Sequence, residues 1–122
     1  MSMNQHEAFS PCLIIPCYNH GAMMARVLEN LRPLGLTCLV VDDGSDVATA
    51  DELQRLAAVM PWMSLTRLPS NQGKGMAVMK ALRLAAEKGF THAIQVDADG
   101  QHQLSDVPAM LDEARRHPDC LI

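Results

Sequence analysis

The residues best equipped for chemistry lie in Ile94-Gln95-Val96-Asp97-Ala98-Asp99-Gly100-Gln101-His102, where an apolar run breaks into two acids one residue apart, followed by glycine, glutamine and histidine. A carboxylate inside a buried strand carries a large desolvation cost, so Asp97 marks the strand's carboxyl end. Hard oxygen ligands such as Asp99 suit Mg²⁺ or Mn²⁺ held against a substrate phosphate. Gly100 allows the backbone to turn tightly beside them. The competing reading is an acidic turn that does no more than end a strand. His102 stands beside the acids as a ligand, a proton donor or an exposed bystander.

Three other stretches share this character. Asp42-Asp43-Gly44-Ser45 is either a tight turn or a hydrogen-bond acceptor for a base N–H or a ribose hydroxyl. Asp42 is expected to take the acceptor role and Asp43 to bond local backbone. Asn71-Gln72-Gly73-Lys74-Gly75 sets two glycines and a lysine at a helix start, where open amides suit a phosphate. It is neither a Walker A loop nor a Gly-x-Gly-x-x-Gly fingerprint, and a helix cap with a solvated lysine is its plainer reading. Pro16-Cys17-Tyr18-Asn19-His20-Gly21 follows the first apolar run, and the proline is expected to end that strand and put Tyr18 and Asn19 on a loop.

Positioning these groups falls to an alternation of strands and helices. Cys12 to Ile15, Leu36 to Val41, Trp62 to Leu68 and Thr91 to Val96 read as strands. Helices are expected from Ala22 to Leu31 with Met23, Val27, Leu28 and Leu31 inward, and from a Thr49–Glu52 capping box to Met60. Two more should cover Met76 to Lys88 with Gly89 as terminator, and Asp106 to about His117 after a Ser105 cap, with Pro108 in the first turn. Met23, Met24, Met76 and Met79 are read as core. Cys120-Leu121-Ile122 looks like the opening of a fifth strand. Alternating strands and helices imply an α/β three-layer sandwich with a mostly parallel sheet. All carboxyl ends then share one edge, and the four polar loops converge there.

At 122 residues the chain is one domain's worth, read as a single unit over 1–122. With 48% apolar and 3% aromatic residues, aliphatic side chains and methionine must fill the core, and no stacking platform for nucleic acid exists. A net charge of −4 leaves any phosphate to be held locally, by metal, amides or single basic side chains. Cys12, Cys17, Cys38 and Cys120 show no zinc-site spacing and are expected as buried thiols in a cytoplasmic protein. No apolar run approaches the ~18 residues that a membrane span requires, and the N-terminus does not resemble a signal peptide.

Taken in order, Ile14-Ile15-Pro16-Cys17-Tyr18-Asn19, Val40-Val41-Asp42-Asp43-Gly44-Ser45, Asn71-Gln72-Gly73-Lys74-Gly75-Met76-Ala77 and Val96-Asp97-Ala98-Asp99-Gly100-Gln101-His102 resemble the family-two glycosyltransferases with the GT-A, Rossmann-like nucleotide-sugar-binding fold. Gly73-Lys74-Gly75 and Gln101-His102 are most similar to the polyprenyl-phosphate sugar transferases. The resemblance implies that the Pro16 to Asn19 loop, with Pro16, Tyr18 and Asn19, and Asp42 hold the nucleoside, and that Lys74 lies near the nucleotide. Asp97 would face the ribose or sugar, and Asp99, assisted by Gln101, would bind Mg²⁺ or Mn²⁺ on the diphosphate. Asp97 and Asp99 are thus the implied catalytic pair of an inverting transfer from a nucleotide-diphosphate sugar to an acceptor, a polyprenyl phosphate or a glycan.

The family's acceptor half would follow Ile122, so the chain resembles a truncated donor-binding part whose parent is cytoplasmic or sits at the cytoplasmic face of a membrane. Its exposed sheet flank would favour self-association. A non-catalytic nucleotide-binding or assembly module with the same fold is the alternative. An aspartyl phosphatase is disfavoured because Gln101 stands where those enzymes place Thr or Val and because the acids follow the fourth strand. An EF-hand lacks its preceding helix and closing glutamate.

Overall fold

A computed structural model describes residues 9–19, 21–98 and 107–116. In chain order these form β1 (Pro11–Cys17), α1 (Gly21–Leu31), β2 (Cys38–Asp42), α2 (Val47–Val59), β3 (Met63–Arg67), α3 (Lys74–Glu87), β4 (His92–Gln95) and α4 (Val107–Arg116), with a 3₁₀ turn at Arg32–Leu34. The sheet order is β3-β2-β1-β4 and every pairing is parallel. The chain steps outward from β1 through β2 to β3, then returns to the other side of β1. The strand order therefore reverses between β1 and β4, the place where open α/β sheets hold ligands.

The unbroken apolar strands follow from cover on both faces. Leu13, Ile15, Cys38, Val40 and Ile94 turn to one face, where Met24, Val27 and Leu28 of α1, Leu53 and Leu56 of α2 and Val107 of α4 close over them. Cys12, Ile14, Leu39, Val41 and Ala93 turn to the other, against Ala77, Ala81 and Ala85 of α3. The expected α/β three-layer arrangement is present. Each fully buried Leu or Ile contributes roughly 1.5–3 kcal/mol of transfer free energy.

Several local expectations are revised. Pro16 does not end β1; it pairs with Val41 inside a strand flanked on both sides. The even-numbered residues of β1 turn their backbone groups toward β4, as in Val96 N–H to Ile14 C=O at 2.9 Å. The β4 ladder has stopped by Gln95, so the missing proline N–H breaks no pairing. Met24 rather than Met23 is fully buried on α1. The α2 cap is Asp46, whose carboxylate accepts from Thr49 N–H at 2.9 Å, while Glu52 pairs with Arg55 instead of closing a capping box. That helix-start bond holds the Asp46 carboxyl below its ordinary range. Met76 and Met79, expected in the core, are exposed. Ser105, Asp106, His117 and the strand expected at 120–122 lie outside the described residues. Within the described residues no helix is long and apolar enough to cross a membrane.

Candidate functional site

At the β1/β4 reversal the carboxyl ends of the strands open into a cavity of about 250 Å³. Pro16, Cys17 and Tyr18 from the end of β1, Asp97 and Ala98 after β4, Asn71, Gly73, Lys74 and Ala77 at the start of α3, and Asp43 after β2 line it. Loops that follow four different strands thus meet on one edge. Across the cavity, Lys74 Nζ donates to Asp97 Oδ1 at 2.8 Å, joining the glycine-lysine loop to the acid after β4. The lysine side chain is 60% exposed and the carboxylate 27% exposed, so both remain within reach of a ligand. Gln95 Nε2 stands 3.4 Å from the same carboxylate oxygen.

The loop that carries Lys74 is positioned from β2. Asp43 accepts from Gln72 N–H at 2.8 Å through Oδ1 and from Gly73 N–H at 2.9 Å through Oδ2. The bonds bridge 29 and 30 residues of chain, so Asp43 fixes a distant loop and not the local backbone expected for it. Gly44 permits this approach. It has φ +72°, and a Cβ there would stand 2.4 Å from Asn71 N and Ser70 C, which no side chain can do. Gly73 caps α3 at φ 99°, ψ 151°, a backbone region that only glycine adopts without strain. The first amides of a helix have no partners within it; at the cavity, Gly73 N–H is taken by Asp43 and Ala77 N–H by the Gly73 carbonyl.

Asp42 and Asn19 are placed otherwise than expected. Neither is among the residues lining the cavity. Asp42 is 1% exposed at the end of β2, with Oδ1 accepting from Ser45 N–H at 2.9 Å and Oδ2 bonded to Arg67 Nη1 at 2.7 Å. Arg67 also donates to the Ser45 carbonyl at 3.0 Å. A buried carboxylate needs such partners, and a guanidinium fork supplies them. Asn19 sits at φ 57°, donates its N–H to Ser45 Oγ at 2.8 Å and accepts from Asp46 N–H at 2.9 Å. Asn19 therefore ties the loop after β1 to the loop after β2, and Asp42 ties that second loop to Arg67 on β3.

Reasoning from the sequence did not single out Arg67, and it gave Asp43 only a local role. Arg67 had a signal in the parallel register, which sets it opposite Asp42. Asp99, Gly100, Gln101 and His102, along with His20, lie outside the described residues. Among the described residues no group of three His, Cys, Asp or Glu side chains could hold a metal ion.

A parallel sheet whose order reverses beside a cavity built from four loops is the arrangement in which open, doubly wound α/β domains hold ligands. The Glycosyl transferase family 2 model matches residues 12–122, and the chain belongs to that family. An undecaprenyl-phosphate mannosyltransferase of Micrococcus luteus is 33% identical over 104 residues, covering 84% of this chain and 43% of the relative. A UDP-N-acetylglucosamine–dolichyl-phosphate N-acetylglucosaminyltransferase of Methanococcus voltae is 30% identical over 112 residues, covering 81% and 45%. The mannosyltransferase PcManGT from Pyrobaculum calidifontis, solved in complex with GDP-Man and Mn²⁺, superposes with a TM-score of 0.64 at 27% identity, over 73% of this chain and 27% of that one. The fold is thus of the GT-A kind. The chain spans less than half the length of these curated relatives.

Proposed function

We propose that this chain is the donor-binding part of a glycosyltransferase that passes a sugar, with inversion, from a nucleotide-diphosphate sugar to a polyprenyl phosphate. The observation that carries the reading is the meeting of Tyr18, Lys74 and Asp97 around one cavity at the β1/β4 reversal. Relatives whose names specify undecaprenyl- and dolichyl-phosphate acceptors support the acceptor class.

In this reading an acceptor oxygen attacks the sugar's anomeric carbon, the bond to the diphosphate breaks, and the nucleoside diphosphate departs with the electron pair. The departing group gathers negative charge, which fixed donors stabilise more strongly in a confined site than in water. Lys74 is such a donor. Asp97 accepts hydrogen bonds from ribose or sugar hydroxyls, and Tyr18 with Pro16 covers the nucleoside. Asp43 faces the cavity in place of Asp42, whose carboxylate is closed by Arg67 and Ser45.

Asp99, assisted by Gln101, is proposed to hold Mg²⁺ or Mn²⁺ with the hard oxygen ligands that these ions prefer. The ion when bound supplies charge to the diphosphate. We assign the acceptor half, and a general base where the acceptor needs one, to the length of the family that this chain does not span. Calorimetric titration with UDP-, GDP- and TDP-linked sugars, with and without Mn²⁺, tests the reading. One of these donors should bind, and Asp99→Ala should abolish the part of binding that depends on Mn²⁺. Absence of binding by every donor in both conditions would refute it, and donor binding by a full-length parent that transfers no sugar would favour a non-catalytic module.

A further inference from the structure

We propose that the outer face of α3 is a docking surface for an anionic lipid bilayer, holding the mouth of the cavity at the membrane. The inference rests on the polyprenyl-phosphate reading for its purpose, while its physical basis is separate. Ala77, Ala81 and Ala85 bury one side of α3 against the sheet. The opposite side, at helical spacing, presents Met76, Met79 and Arg83, with the half-buried Lys80 at its flank. Met76 is 54% and Met79 52% exposed. Among the described residues five large apolar side chains are exposed, and three of them, Tyr18, Met76 and Met79, belong to the cavity mouth or to the first two turns of the helix that begins there. The other two, Val47 and Val59, lie at the two ends of α2.

Charge selects the occupant. The chain as a whole carries −4, yet α3 holds Lys74, Lys80 and Arg83 against Glu87 alone. Lys74 turns into the cavity to meet Asp97, which leaves Lys80 and Arg83 flanking the methionines on the outer stripe. Apolar side chains between basic ones fit the boundary of a bilayer, where thioether and methylene groups enter the acyl region and the cations remain among anionic headgroups. Because α3 starts at the cavity, this contact would bring a lipid-borne phosphate to the cavity mouth.

The test is flotation of the 122-residue chain with vesicles of phosphatidylcholine alone and of phosphatidylcholine with phosphatidylglycerol, at low and at high salt. Binding should require the anionic lipid and weaken with salt. Lys80→Ala with Arg83→Ala should lower the bound fraction roughly tenfold, and Met76→Ser with Met79→Ser should lower it severalfold. Arg55→Ala and Val59→Ser on α2 should leave it unchanged, and circular dichroism should show all variants folded. Equal binding to both vesicle types, or equal losses from the α2 variants, would overturn the proposal. So would concentration-dependent dimerisation abolished by the Met76 and Met79 changes without vesicle binding, which would assign the stripe to a second copy. Donor titration of the same variants separates the two proposals: vesicle binding without any donor binding would sink the donor reading and leave the docking surface standing.

Discussion

Two strand ends in this molecule look alike in sequence and behave differently in the fold. Val40-Val41-Asp42-Asp43 and Ile94-Gln95-Val96-Asp97 each carry an apolar strand into acid. After β2, both carboxylates are committed to the protein itself: Asp42 to Arg67 and Ser45, Asp43 to the amides of Gln72 and Gly73. After β4, Asp97 is held on the cavity wall by an exposed lysine. The position in the sheet makes the difference. The end of β2 lies between β1 and β3, where a carboxylate is enclosed and must be satisfied by protein donors. The end of β4 lies beside the reversal of strand order, where the loops part. The acids after β2 brace the frame, Asp43 from the cavity wall, and the acid after β4 lines the cavity with its carboxylate partly exposed.

The comparison can be broken from either side. On the frame side the largest effect is expected at Gly44→Ala, where the new Cβ would overlap the backbone of Ser70 and Asn71 at a positive φ. Urea denaturation should show a loss of about 3 kcal/mol or more, with donor affinity falling as the 71–75 loop shifts. A change below about 1 kcal/mol would show that the two loops are not braced together. Arg67→Ala comes next. It strands a buried carboxylate and should cost about 2–3 kcal/mol, below the full cost of breaking a buried pair because the guanidinium is 40% exposed. Asp42→Asn added to Arg67→Ala should recover part of that loss.

On the site side the balance shifts from stability to affinity. Asp97→Asn should change stability by no more than about 0.5 kcal/mol, since its lysine partner is mostly solvated, yet reduce donor affinity tenfold or more. Equal donor affinity in this variant, or a large loss of stability, would place Asp97 with the frame.

The smallest effect concerns the two covered strands β1 and β2. Burial pushes the Cys12 thiol up to about 11, and burial reinforced by Cys12 pushes the Cys38 thiol up to about 12. Both thiols should resist alkylation at pH 8 until the chain unfolds. A folded-state value raised above the unfolded one near 9 contributes stability that is complete below pH 9 and is lost as pH rises toward 11 to 12. Urea midpoints measured between pH 8 and 11 should therefore fall, and the fall should shrink in Cys38→Ala.

Much of this architecture was legible in the chain. Uninterrupted apolar runs bounded by polar loops fix the strands because a parallel sheet covered on both faces permits no alternation. The convergence of Tyr18, Lys74 and Asp97 follows from connectivity alone, as all carboxyl ends share one edge. Periodicity failed where one residue of helical phase decides burial, as between Met23 and Met24. It failed at Met76 and Met79 because hydrophobicity reports what could be buried, and α3 buries its alanines instead. Pro16 misled because its tolerance depends on where β4 stops, a fact about the neighbouring strand. The roles of Asp42 and Asp43 depended on partners 25 and 29 residues away, which no local pattern reveals.

The division between frame and site is tested most directly by amide NMR of the chain during titration with GDP-mannose and Mn²⁺, with the other donors in turn. The account predicts that the largest shifts fall on Tyr18, Gly73, Lys74, Ala77 and Ala98, with Asp42, Ser45 and Arg67 little moved. Shifts concentrated at Asp42, Ser45 and Arg67, with the β1/β4 crevice silent, would contradict it.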